Sequence, residues 1–118
     1  MIVLRSVVLR EIGMPLKEPF RISSGEVTER RILLAELETA DGVRAWAESV
    51  AFEDPNYSAE TLDTAWLALR EWVAPRLRGV PLDGPEQAHA LLEKDFRGHR
   101  MAKATVEMGL WALAAEQQ

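Results

Sequence analysis

A chain of 118 residues is the size of one domain, and 47% hydrophobic with 28% charged content is ordinary for a globular protein with one core. The formal charge of −5, from 19 acidic and 14 basic residues interspersed along the chain, excludes a basic nucleic-acid-binding surface. The absence of cysteine excludes a disulfide framework, a thiolate metal site and a cysteine nucleophile.

The opening stretch, Met1 to Leu9, is apolar but is broken by Arg5 and Ser6 and runs into Arg10 and Glu11. It fits neither a signal peptide nor a membrane span, so no membrane association and a cytoplasmic location are expected. From Ile2 to Met14 the segment reads as a strand, with Leu4, Val8, Ile12 and Met14 on alternate positions. Pro15, Pro19, Ser23, Ser24 and Gly25 predict a long loop over Pro15–Thr28, and long loops in small domains are usually functional or disordered. A second strand is predicted over Arg31–Thr39, a hairpin turn at Asp41-Gly42, and a third strand over Val43–Val50. Three such strands form an antiparallel meander with one face covered.

A second loop, Ala51–Tyr57, leads to Ser58, which is placed to cap a helix striped by Leu62, Trp66, Leu69 and Val73. Pro75 is expected to end or kink that helix. Asp83-Gly84-Pro85 then opens a second helix carrying Ala88, Leu91 and Leu92, which Arg97-Gly98-His99 closes. The expected fold is α+β, a three-stranded antiparallel meander followed by about three helices, with residues 1–118 forming a single domain.

The last helix, Met101–Glu116, is apolar on two sides. One carries Met101, Ala104, Thr105, Met108, Trp111, Ala112 and Ala115; the other carries Ala102, Val106, Leu110 and Leu113, with a polar strip at Lys103 and Glu107 between them. A small domain cannot cover both. The side with Val106, Leu110 and Leu113 is expected to be left bare, to meet a further domain or another copy of the chain, and to make the protein a homo-oligomer that Leu110→Lys would disperse.

No residue stands out as catalytic. Ser23-Ser24-Gly25 lacks the strand-to-helix setting of a nucleophile elbow and reads as a turn. His89 and His99 have no partner at metal-ligand spacing, and Glu48, Glu53 and Asp54 read as solvated carboxylates rather than a Mg²⁺ site. Arg21, Arg30 and Arg31 read as surface charge or salt-bridge partners. Trp46, Trp66, Trp72 and Trp111 read as core rather than as a stacking platform.

Three segments carry a resemblance. Met14-Pro15-Leu16-Lys17-Glu18-Pro19-Phe20-Arg21, Pro55-Asn56-Tyr57-Ser58-Ala59-Glu60 and, most specifically, Gly98-His99-Arg100-Met101-Ala102-Lys103-Ala104-Thr105-Val106-Glu107-Met108 resemble the two loops and the last cap helix of the enolase superfamily's muconate-lactonizing branch. The likeness is to the N-terminal capping domains of o-succinylbenzoate synthases and N-acylamino acid racemases, and it runs from Leu4 to Glu116. It implies a cap that contributes specificity toward a small carboxylate substrate, inert alone. The catalytic (β/α) barrel, expected after residue 118, would hold Mg²⁺, two lysine acid/bases and three carboxylates, with no cofactor or metal in this chain. In that family the metal stabilises the enediolate formed by proton abstraction α to a carboxylate, and the loops exclude water and contact the substrate.

The resemblance assigns substrate contact to Phe20 and Ser24 in the first loop and to Phe52 and Tyr57 in the second. Taken alone, Phe52 and Tyr57 fit equally well as aromatics that anchor the loop. Ser24 stands where related enzymes often have an aromatic, and Ala112 where they usually have an acidic residue after the tryptophan. A free-standing or self-associating α+β interaction module without catalysis, or a fragment with no activity, is the alternative reading. Synthase and racemase are not distinguished by these residues.

Overall fold

The computed structural model describes all residues except 23, 24, 56, 57 and 118, with the backbone alone for residues 14–30. Strands β1 (Leu4–Ile22), β2 (Gly25–Thr39) and β3 (Arg44–Glu48) form one antiparallel sheet in the order β1-β2-β3. Helices α1 (Leu62–Ala68), α2 (Ala74–Leu77), α3 (Glu86–Glu93) and α4 (Arg100–Glu116) follow, with a π-helical stretch at Leu69–Val73 joining α1 to α2. The α+β meander is therefore present.

The predicted loop over Pro15–Thr28 is mostly strand. The β1–β2 ladder continues past the sheet to Phe20↔Val27 and Ile22↔Gly25, with an irregularity between Pro15 and Phe20. Two prolines explain both the break and the misreading: Pro15 and Pro19 have no N–H to give a ladder, so pairing lapses between them and resumes beyond. At the other end the Asp-Gly turn forms as expected, with Gly42 at φ 90° and the Thr39 amide donating to the Val43 carbonyl at 2.9 Å.

Alternation places Ala45 and Ala47 on the buried face of β3, while Arg44, Trp46 and Glu48 face out. The ladder sets Val7, Leu37 and Ala45 in one row and Leu9, Ala35 and Ala47 in the next. Helix α4 packs over β2 and β3, and its Ala102, Val106, Leu110 and Leu113 are fully buried in the core. This overturns the expectation of a bare patch there. A Cβ added to Gly109 would lie 2.7 Å from Leu37 Cδ1, so the glycine lets the helix backbone sit close on the sheet. The exposed side is the opposite one, where Ala104, Met108, Trp111 and Ala115 lie within about 60° of one another.

Lys103 also departs from the expected polar strip. It is 3% exposed, its ammonium donates to the Phe96 carbonyl and lies 4.3 Å from the Phe96 ring centroid. Trp46, Trp72 and Trp111 are about half exposed rather than core, and Trp66 alone of the four packs against it. Pro75 does not end the helix. The turn before it widens instead, the Ala74 amide donating to the Leu69 carbonyl, and the helix runs on to Leu77. Gln87 replaces a simple cap at α3, with its side chain accepting from the Asp83 amide at 2.8 Å and donating to the Asp83 carboxylate at 3.3 Å.

Candidate functional site

The apolar row on the helix-facing side of β2 runs Leu37, Ala35, Leu33 and then reaches Arg31. On β1 the row Val7, Leu9 likewise ends at Glu11, whose backbone pairs with Leu33. The core thus gives way to charge where the β1–β2 hairpin leaves the sheet.

Arg31 gathers three carboxylates there. Its Nη2 donates to Glu11 Oε1 at 2.5 Å and to Asp63 Oδ1 at 2.9 Å, its Nε donates to Glu11 Oε1 at 3.1 Å, and its Nη1 lies 3.4 Å from Glu53 Oε1. One guanidinium fork therefore joins β2 to β1, to the second loop and to the first turn of α1. The hydrogen bond to Glu11, and after it the one to Asp63, raises the Arg31 pKa above its already high ordinary value, so the group is cationic throughout the working pH range. The reading of Arg31 as a salt-bridge partner agrees with this arrangement.

The second loop is closed at its base by backbone and side-chain bonds. The Leu62 amide donates to the Phe52 carbonyl at 2.7 Å, and the Glu60 amide donates to Ser58 Oγ at 3.1 Å. Ser58 does not cap α1. Thr61 does, its hydroxyl accepting from the Thr64 amide while the Thr64 hydroxyl accepts from the Thr61 amide, a reciprocal capping box.

Glu60 reaches further. Both its carboxylate oxygens accept from the Met101 amide, at 2.9 and 3.1 Å. Helix α4 has no side-chain cap from His99, which sits at φ 51°, so Glu60 supplies an anion to the helix's positive end from 41 residues away. Replacing Glu60 with Ala is expected to lower stability by about 1 kcal/mol, and Glu60→Gln by less, because the amide oxygen still accepts. Urea unfolding checks this; equal losses for Ala and Gln would assign the effect to packing.

Of the four sequence-assigned contact residues, Phe52 is partly buried in the second loop beside these bonds. Phe20 lies on β1, its backbone paired with Val27. Ser24 and Tyr57 lie outside the described residues. Sequence read Arg31 only as surface charge or a salt-bridge partner and gave Glu60 no role of its own, because their partners are distant in the chain.

Two other features lie away from the loops. A hollow of about 490 Å³ between β1 and the helix 62–77 has Val7, Leu9 and Trp66 in its wall, with Arg70 and Arg78 at its edge already engaged by Glu71 and the Arg5 carbonyl. At the start of α4 the Trp72, Phe96 and His99 rings pack at centroid distances of 5.5 to 6.3 Å. Among the described residues no three His, Asp or Glu side chains come together in a way that could hold a metal ion. Glu11, Glu53 and Asp63 face Arg31, and the Mg²⁺ implied by the resemblance is expected in the barrel rather than among them. No helix of the described chain is long and apolar enough to cross a membrane.

The sheet, the four helical segments and the paired loops are the architecture of an enolase-superfamily N-terminal domain. The family described as mandelate racemase / muconate lactonizing enzyme, N-terminal domain, matches residues 4–118, and the chain belongs to it. It is 40% identical over 114 residues to an o-succinylbenzoate synthase of Geobacillus stearothermophilus, covering 94% of this chain and 29% of that protein. It is 39% identical over 107 residues to an N-succinylamino acid racemase of Amycolatopsis sp, covering 91% of this chain and 28% of that protein. Among solved structures, an enolase-superfamily member from Listeria innocua superposes with a TM-score of 0.92 at 31% identity, over 99% of this chain and 32% of that one. The chain thus spans about a third or less of each of these proteins.

Proposed function

We propose that this domain is the specificity cap of a Mg²⁺-dependent, cytoplasmic o-succinylbenzoate synthase or N-acylamino acid racemase whose barrel carries the catalytic and metal-binding residues. The observation that carries the reading is the joining, at Arg31, of an overlong β1–β2 hairpin to the second loop. The similarity to both a synthase and a racemase supports the substrate class, a carboxylate bearing a succinyl, aryl or N-acyl group. In this reading the domain binds and orients the variable end of the substrate and excludes water, and it performs no proton transfer itself. The exposed row of Ala104, Met108, Trp111 and Ala115 on α4 is available to the rest of a longer protein.

A domain exchange tests this. When this chain replaces the corresponding domain of the Geobacillus synthase, the hybrid is expected to retain dehydration or N-succinyl racemization, with an altered ratio between acyl groups. The chain alone is expected to give no turnover and no micromolar Mg²⁺ binding by calorimetry. Phe52→Ala or Tyr57→Ala in the hybrid should cost about 1–3 kcal/mol in discrimination between substrates. Uniform losses on every substrate, or turnover by the isolated chain, would defeat the assignment.

A further inference from the structure

The geometry points to Arg31 as a positioning residue that couples the two substrate-facing loops, holding the second loop against the root of the β1–β2 hairpin so that they move as one wall. The inference rests on the cap reading for its functional meaning and on the Arg31 cluster for its mechanism.

Glu11, Glu53 and Asp63 come from three separate elements, β1, the second loop and the first turn of α1, and each is 40–74% exposed. Exposed ion pairs contribute little to global stability. Their consequence is positional. One cation faces three carboxylates, so the cluster holds together only while the guanidinium is present. A planar fork can address several acceptors at once, whereas an ammonium offers a single compact charge. Without either, three carboxylates are left facing one another and repel. Loss of Arg31 therefore replaces a tie with a push between hairpin and loop, which loss of an ordinary packing residue would not do.

The chain contains no cysteine, so a pair of nitroxide labels can be placed cleanly through Glu26→Cys on the hairpin and Ala59→Cys on the second loop. Pulsed electron–electron resonance on the full chain should give one narrow distance distribution. Arg31→Met is expected to widen it at least twofold, and Arg31→Lys to give an intermediate width, while the thermal midpoint moves by only a few degrees. Salt supplies a readout that steric support would not. In Arg31→Met, raising NaCl to 1 M should narrow the distribution again, because the Debye length falls to about 3 Å and the carboxylate repulsion is screened.

If circular dichroism shows that Arg31→Met does not fold, Glu53→Gln and Asp63→Asn decide the matter. Each removes one arm and should widen the distribution in a folded protein. An unchanged width in the folded Arg31→Met variant, or in both single-arm variants, overturns the coupling, as does widening that 1 M NaCl leaves untouched. These measurements involve neither barrel nor substrate. They can fail while the domain exchange succeeds, and the exchange can fail while they succeed.

Discussion

Leu110→Lys is expected to abolish the native fold. Leu110 is fully buried, within a stripe of α4 that also contains Ala102, Val106 and Leu113 at 0% exposure. Removing the leucine forfeits about 2–3 kcal/mol of apolar burial, and an ammonium without a partner in that position costs several kcal/mol more. Total stability of a domain this size is on the order of 5–15 kcal/mol. Circular dichroism should show loss of cooperative melting, whereas Trp111→Lys, on the exposed side of the same helix, should melt within a few degrees of the parent. A cooperatively folded Leu110→Lys protein that has merely lost self-association would restore the original expectation of a bare patch at this position.

Gly109→Val should destabilise by about 1–3 kcal/mol, the usual range for forcing extra volume into a packed core. The new Cβ would sit 2.7 and 2.9 Å from the two methyl carbons of Leu37, a residue with no exposed surface and neighbours on every side. Gly109→Ala meets the same atoms but gains about 1 kcal/mol in helix propensity, so its net effect should be much smaller. Urea unfolding of both variants separates the terms. If Val and Ala are equally well tolerated, the helix has room to lift from the sheet.

The sheet and the order of helices were legible because they rest on local signals. Alternating Ala45 and Ala47, the Asp41-Gly42 turn and the stripe at Leu62, Leu69 and Val73 each specify their own element. The hairpin was not legible, because Pro15, Pro19 and the Ser23-Ser24-Gly25 run carry loop chemistry even though the strands on either side resume pairing. Ser58 and Thr61 are both competent caps, and what selects Thr61 is Thr64 three residues on.

The last helix shows a different limit. Period alone gave two apolar faces, and nothing local said which would be inside. The choice falls to shape: Gly109 permits contact with Leu37, while Trp111 and Met108 are bulky and lie opposite. The same reasoning applies to the candidate site. Phe52 was assigned by resemblance, and Arg31 had been read as a salt-bridge partner without a position in the site. Its arms to Glu53 and Asp63, like the Glu60 cap on Met101, join residues too far apart in sequence for any local pattern to pair them.

The packing of α4 over β2 and β3 also bears on the order in which the domain can be completed during synthesis. Leu33, Ala35 and Leu37 are translated early, yet part of their cover is the last helix. At about 5–20 residues per second, the roughly 65 residues separating β3 from Leu113 occupy the ribosome for several seconds. For that interval the emerging sheet has an apolar surface awaiting its lid, and a nascent-chain chaperone would find its target there rather than on the charged root of the hairpin.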